Sequence, residues 1–169
     1  STILALRAAG AKTVILSHYG RPKGRSDKDS LAFLPPVLAA DWGCPVAFAP
    51  DCIGPVALSA VSAMQAGDVL LLENIRFYAG EESNDMDFAR ALAALGDVYV
   101  NDAFSVSHRA HASVHGLAGL LPAAAGLAMQ AELAALAQVV GTPARPVAAI
   151  VGGSKISTKL DLLMNLITR

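Results

Sequence analysis

Charged side chains make up only 16% of this 169-residue chain, and aromatic ones only 5%. So little charge, nearly balanced at a net −1, excludes the broad basic surface that general nucleic-acid binding needs. Any cationic site must be local. Cysteine is scarce too. Cys44 and Cys52 are spaced like no zinc or redox motif, so buried free thiols in a reducing cytoplasm are expected rather than a disulfide. No run reaches the roughly 18 uninterrupted apolar residues of a membrane helix. Residues 118–136 come nearest, broken by Gly, Pro, Gln and Glu. No secretory leader is visible, because Arg7 and the turn residues after it interrupt the opening. There is no G-x-x-x-x-G-K-[ST] loop and no G-x-G-x-x-G after a strand, which removes two common phosphate-binding fingerprints. His108, His111 and His115 have no Cys or convincing carboxylate partner, so no metal site is expected. Ser105, Ser107 and Ser113 sit in no nucleophile-elbow sequence. Trp42 and Tyr78 read as packing.

What is present is apolar: 54% of residues, supplied largely by Ala and Leu. Short β-prone runs at 13–16, 46–48, 69–72, 98–100 and 147–151 alternate with helix-like text at 2–9, 31–42, 53–64, 85–95 and 126–140. A last helix is expected from Gly152 onward. Pro35-Pro36 and Pro55 suit first helical turns. Gly80 to Asp85 reads as a polar loop, with Ser83 or Asn84 capping the helix after it. The runs are continuously apolar rather than alternating. That is the text of a parallel sheet with helices on both faces, an α/β fold in a single domain.

The chemistry lies where the strands end. The first strand runs into Ser17-His18-Tyr19-Gly20-Arg21-Pro22-Lys23-Gly24-Arg25, the third into Glu73-Asn74-Ile75-Arg76, and the fourth into Asn101-Asp102 and then His108-Arg109. No carboxylate follows Asp102 until Glu132. The fifth runs into Gly152-Gly153-Ser154-Lys155, with Lys159 one turn on. In a parallel sheet all carboxyl ends share one edge, where α/β proteins bind ligands. Four basic strand ends in a chain of balanced charge point to an anion site. Arginine's planar fork suits phosphate or carboxylate. Two glycines before a helix allow close backbone approach to phosphate at the helix N-terminus. Lys155 and Lys159 share a helix face, and two cations in first turns oppose the macrodipole.

These segments, in this order, resemble those of phosphoglycerate kinases. The segments are Ser17 to Gly24; Leu72-Glu73-Asn74-Ile75-Arg76-Phe77 with Gly80-Glu81-Glu82 after it; Val100-Asn101-Asp102-Ala103-Phe104; His108-Arg109-Ala110-His111-Ala112-Ser113; and Gly152 to Lys159. Tyr19 stands where the family usually has Leu, and Ser105 where Gly is frequent. The resemblance implies a Rossmann-like, three-layer lobe. The activity it implies is reversible phosphoryl transfer, in glycolysis, between 1,3-bisphosphoglycerate and ADP to give 3-phosphoglycerate and ATP, with Mg-ATP or Mg-ADP as co-substrate and no tightly bound cofactor. It further implies that His18, Tyr19, Gly20, Arg21, Arg76 and Arg109 contact the phosphoglycerate. Gly152, Gly153 and Lys159 would meet the nucleotide, and Lys155 the transferred phosphoryl group. Partners are expected to be small molecules rather than nucleic acid or membrane, and the full enzyme a cytoplasmic monomer. The chain reads as most of the family's N-terminal, substrate-binding lobe. The nucleotide-binding lobe is expected to be absent and the chain alone inactive.

Two other readings remain compatible with the residues. One is a non-catalytic α/β module that keeps the anion patch and meets a partner. The other is an unrelated α/β scaffold with a structural role, which would hold no phosphate at the basic strand ends.

Overall fold

The computed structural model describes residues 1–140, 148 and 164. Ser1–Met129 form one compact unit and Gln130–Arg169 a second. The strand expected at 147–151 and the helix after Gly152 lie outside the described residues.

The first unit opens with α1 (Thr2–Ala8) and β1 (Thr13–Ile15). α2 (Leu34–Trp42), β2 (Ala47–Ala49), α3 (Gly54–Ala63) and β3 (Val69–Leu72) follow. β3 lies between the other two, parallel to both, with Thr13 beside Val69 and Ala49 beside Leu72. A central strand covered on both faces must be apolar along its whole length. Val69, Leu70, Leu71 and Leu72 are accordingly all buried. The α/β architecture with parallel strands thus stands as the sequence suggested.

Several boundaries differ from the expected ones. α2 begins at Leu34 rather than residue 31, since its prolines occupy the first turn, and Gly43 ends it in the left-handed region at φ 65°. The segment expected to be a polar loop contains a short helix, α4 (Ala79–Glu82). α5 (Met86–Ala93) is capped not by Ser83 or Asn84 but by Asp85, whose carboxylate accepts from Asp87 N and Phe88 N at 2.9 and 2.8 Å. Phe88, Ala89 and Leu92 form its buried face.

β4 (Tyr99–Asn101) pairs in parallel with β5 (Ala123–Ala125), a strand that sequence reading missed. Three alanines have little strand preference of their own. Pairing imposes the form: Tyr99 N donates to Pro122 O and Gly126 N to Asn101 O. Between these strands lie a turn at Ala112–Gly116 of the wide π type and the loop before it. α6 (Leu127–Val140) follows β5.

Cys44 and Cys52 are both buried free thiols, as expected. Cys52 donates from Sγ to Glu73 O at 2.8 Å. Burial, reinforced by Asp51 and Glu73, pushes its ionisation far upward.

Candidate functional site

Behind the site stands a run of buried polar residues at the end of β3. Glu73 is 5% exposed and Asn74 fully buried. The Glu73 carboxylate accepts from Leu31 N at 2.8 Å, Ser30 Oγ at 2.7 Å and Asn74 N at 2.7 Å. Asn74 Nδ2 donates to the carbonyls of Tyr19 and Asp29, both at 2.8 Å. Its Oδ1 accepts from Arg76 N, and Ile75 N donates to Ser17 O. Buried polar groups without water must find such partners. The partners found here belong to the loop after β1, which is thereby stitched to the end of β3.

Arg76 is held the same way. Nη1 donates to Gly20 O at 2.7 Å. Nε lies 3.3 Å from Glu82 Oε1, an ion pair without hydrogen-bond geometry. Nη2 is buried with no hydrogen-bond partner. A buried guanidinium with donors unanswered is poised for an acceptor that the protein does not supply. Gly20 presents its carbonyl from a left-handed backbone, φ 65°, that suits glycine.

His18 is half-buried beside Arg76. Burial, then the charges of Arg76, Arg109 and His111, lower its pKa; Glu82 opposes them weakly. His18 thus lies in electrostatic reach of Arg76 and Arg109, each named from a different strand end, and of His111. Arg109 also lines a cleft of about 580 Å³ with Asn101, Ser107, His108 and His115.

The other expected residues have different surroundings. Tyr19 is half exposed, its ring edge-on to Phe33 at 5.7 Å, and its carbonyl takes the Asn74 bond. Among the described residues, Arg21 is exposed and makes no hydrogen bond or ion pair to the cluster. Arg25 faces away: it donates to Pro50 O at 2.9 Å, pairs with Asp51 at 3.3 Å and covers the Phe77 ring. Asp51 also accepts from Tyr78 Oη, and burial together with that bond pushes the phenol up to about 12. Gly152, Gly153, Lys155 and Lys159 lie outside the described residues.

Sequence reasoning missed His111 as a neighbour of His18, although it lies in the same short segment as Arg109. It also missed Glu81, which is 2% exposed and accepts from Ser113 N and Ser113 Oγ at 2.9 and 2.7 Å. The available signal was Gly80-Glu81-Glu82 itself, an acidic pair placed between two basic segments.

At the end of β4, Asn101 Oδ1 accepts from Ala103 N, and Asn101 Nδ2 donates to Ser107 Oγ. Asp102 Oδ1 accepts from Ala128 N and Met129 N at 2.8 and 3.0 Å, capping α6. Burial alone would raise its pKa, but bonds from Thr2, Met129 and Ala128 hold it below the ordinary carboxylate value.

The model of the phosphoglycerate kinase family matches residues 1–169. A phosphoglycerate kinase from Rhodospirillum centenum is 60% identical over 169 residues, covering 99% of this chain and 43% of the relative. One from Caulobacter vibrioides is 59% identical with the same coverage. Among solved structures, phosphoglycerate kinase from Pyrococcus horikoshii OT3 is similar at a TM-score of 0.87 and 30% identity, over 99% of this chain and 43% of that one. The enzyme from Coxiella burnetii is similar at 0.86 and 36% identity. The chain thus spans about 43% of the length of the first of these relatives.

Proposed function

This chain belongs to the phosphoglycerate kinase family, and on that footing we propose that it supplies the phosphoglycerate-binding part of such an enzyme. The reaction is reversible phosphoryl transfer between 1,3-bisphosphoglycerate and ADP, giving 3-phosphoglycerate and ATP in glycolysis.

The observation that carries this role is the unpartnered Nη2 of the buried Arg76 guanidinium, beside a His18 that both Arg76 and Arg109 influence. A substrate with a phosphate at one end and a carboxylate or acyl phosphate at the other needs separated cationic groups in fixed positions. Phosphoryl transfer depends on positioning and charge neutralisation more than on covalent chemistry from the protein. Arg76 is set by Gly20 and Glu82, and His18 is kept largely neutral until an anion compensates its charged neighbours. Arg109 reaches in from the loop after β4. Arg21 and the backbone of Tyr19 and Gly20 complete the substrate side. Lys155 near the transferred group, and Gly152, Gly153 and Lys159 near the nucleotide, rest on their motif alone.

Mg-ATP or Mg-ADP is the co-substrate in this role; the metal spreads the charge of the nucleotide phosphates. Among the described residues no three His, Cys, Asp or Glu side chains gather as a metal site. The partners are small molecules, not nucleic acid or a membrane. Among the described residues no helix is long and apolar enough to cross a membrane. A cytoplasmic monomer fits the glycolytic role and the free thiols.

Calorimetric titration of the 169-residue chain with 3-phosphoglycerate tests this. Saturable binding is expected, weakened roughly tenfold or more by Arg109→Ala through the loss of charged hydrogen bonds. A folded chain that binds no 3-phosphoglycerate, or binds it equally well without Arg109, would count against the role.

A further inference from the structure

We propose that Glu81 is a positioning residue for the cationic cluster: its buried carboxylate holds His111 with the proton on Nδ1, so that Nε2 is the atom that meets an anion. The consequence for binding rests on the anion site described above; the tautomer does not.

Among the described residues no Lys or Arg lies within ion-pair distance of Glu81. A buried carboxylate without such a partner must satisfy its lone pairs by hydrogen bonds. Three donors surround it. Ser113 N reaches Oε2 at 2.9 Å, Ser113 Oγ reaches Oε1 at 2.7 Å, and His111 Nδ1 stands 3.5 Å from that same Oε1. The last is an ion-pair distance without hydrogen-bond geometry, of the kind that tightens when a site is occupied.

All three donors come from one short segment, and two glycines let α4 reach it. A Cβ on Gly80 would stand 2.9 Å from the Phe88 Cβ, and a Cβ on Gly116 would stand 2.9 Å from the Ala89 Cβ. α4, α5 and the π-type turn are therefore pressed together, with Glu81 between them. Ala112 beside His111 is fully buried, so the backbone under the imidazole cannot drift.

Oε1 can only accept, so a ring nitrogen that faces it must carry hydrogen. A neutral imidazole has one N–H, which leaves the lone pair on Nε2 at the far edge of the ring. His111 is in electrostatic reach of His18, and 15% of its side chain stays exposed, which leaves the ring partly open to a ligand. In the imidazolium form both ring nitrogens donate, Nδ1 to Glu81 and Nε2 to an anion. A carboxylate behind a histidine fixes tautomer and orientation in the same way at metal centres and hydrolase triads.

The experiment is nitrogen-15 NMR of the 169-residue chain with labelled histidine, without ligand, at a mildly alkaline pH where imidazoles are neutral. Wild-type His111 is expected as the Nδ1–H tautomer. In Glu81→Gln the amide oxygen must stay on Ser113 N, which puts the NH2 where Oε1 was. That NH2 donates to Nδ1, and His111 switches to Nε2–H. Ser113→Ala removes a bond to Glu81 and costs stability, yet should leave the tautomer unchanged. An Nε2–H tautomer in the wild type, or Nδ1–H retained in Glu81→Gln, overturns the assignment. Should Glu81→Gln fail to fold, the wild-type spectrum still decides.

A second arm titrates the chains with inorganic phosphate. Glu81→Gln is expected to bind roughly tenfold more weakly than Ser113→Ala, the loss of one charge-assisted bond. Equal affinities overturn the positioning role. A wild type that ignores phosphate defeats the anion site and, with it, this role, while the tautomer read without ligand stands on its own.

Discussion

β3 and β4 both end in a carboxylate and an amide side by side, Glu73-Asn74 and Asn101-Asp102, and the two pairs serve different ends. Glu73 and Asn74 are buried, and their bonds reach residues 42 to 55 positions away in sequence. Asn101 is half-buried and Asp102 exposed. Asn101 bonds within its own loop, and Asp102 caps the helix that follows β5. The cause is strand position. β3 has a neighbour on each side, so polar groups at its end emerge into packed surroundings and must bracket other loops. Among the described residues β4 pairs with β5 alone, and Asp102 at its end is exposed. The arginines inherit the difference: the Arg76 side chain is fixed by Gly20 O and Glu82, whereas the partly exposed Arg109 side chain has no such bond among the described residues. One half of the anion site is therefore preorganised and the other adaptable.

The comparison is broken most decisively at the two carboxylates. Glu73→Ala strips acceptors from three donors and is expected to cost about 4 kcal/mol in urea unfolding. Asp102→Ala should cost about 1 kcal/mol, the ordinary loss of a helix cap. Equal losses would mean that the two strand ends are not distinct. A finer probe is Gly126, where a Cβ would lie 2.3 Å from Asp102 Oδ1. Gly126→Ala is expected to cost about 2 kcal/mol by overpacking, and less, though not nothing, when Asp102 is already alanine, because the Cβ of residue 102 would still stand 2.7 Å away. An undiminished cost in the Asp102→Ala background would show that the carboxylate is not what the glycine accommodates.

The smallest effect is at His18. Its pKa is lowered in the folded chain from the ordinary 6.5. Between the lowered value and 6.5 the unfolded chain therefore binds more protons, and stability rises with pH across that window. Acidification through it should lower the melting temperature of wild type more than that of His18→Gln. Bound phosphate should narrow the gap. Parallel pH profiles would remove His18 from the charged cluster.

Much of this was legible in the residues. The all-apolar text of β3 marks a central parallel strand, and its bounds match. The approach of His18 and Arg76 follows from β1 and β3 being neighbours with their ends on one edge; Arg109 follows β4, which pairs with β5 in a second sheet, and a shared edge does not account for it. α4 was not legible, because Gly, Glu, Ser and Asn compose a loop by every local rule. Its helix and the burial of Glu81 come from contacts with α5 and the π-type turn far along the chain. β5 was illegible for the opposite reason. Three alanines state no preference, and only the β4 ladder makes them a strand. Arg25 looked like Arg21 in sequence; Pro50, Asp51 and Phe77 turn it into an anchor.

The thiol of Cys52 offers a clock. It reacts with alkylating reagents only as thiolate and only when reached by solvent, and its bond to Glu73 O denies it both. Each labelling event therefore counts one opening of the wall behind Arg76. The rate at which Cys52 is labelled, read apart from Cys44 by peptide mapping, reports how often the rigid half of the site comes apart, with no residue changed.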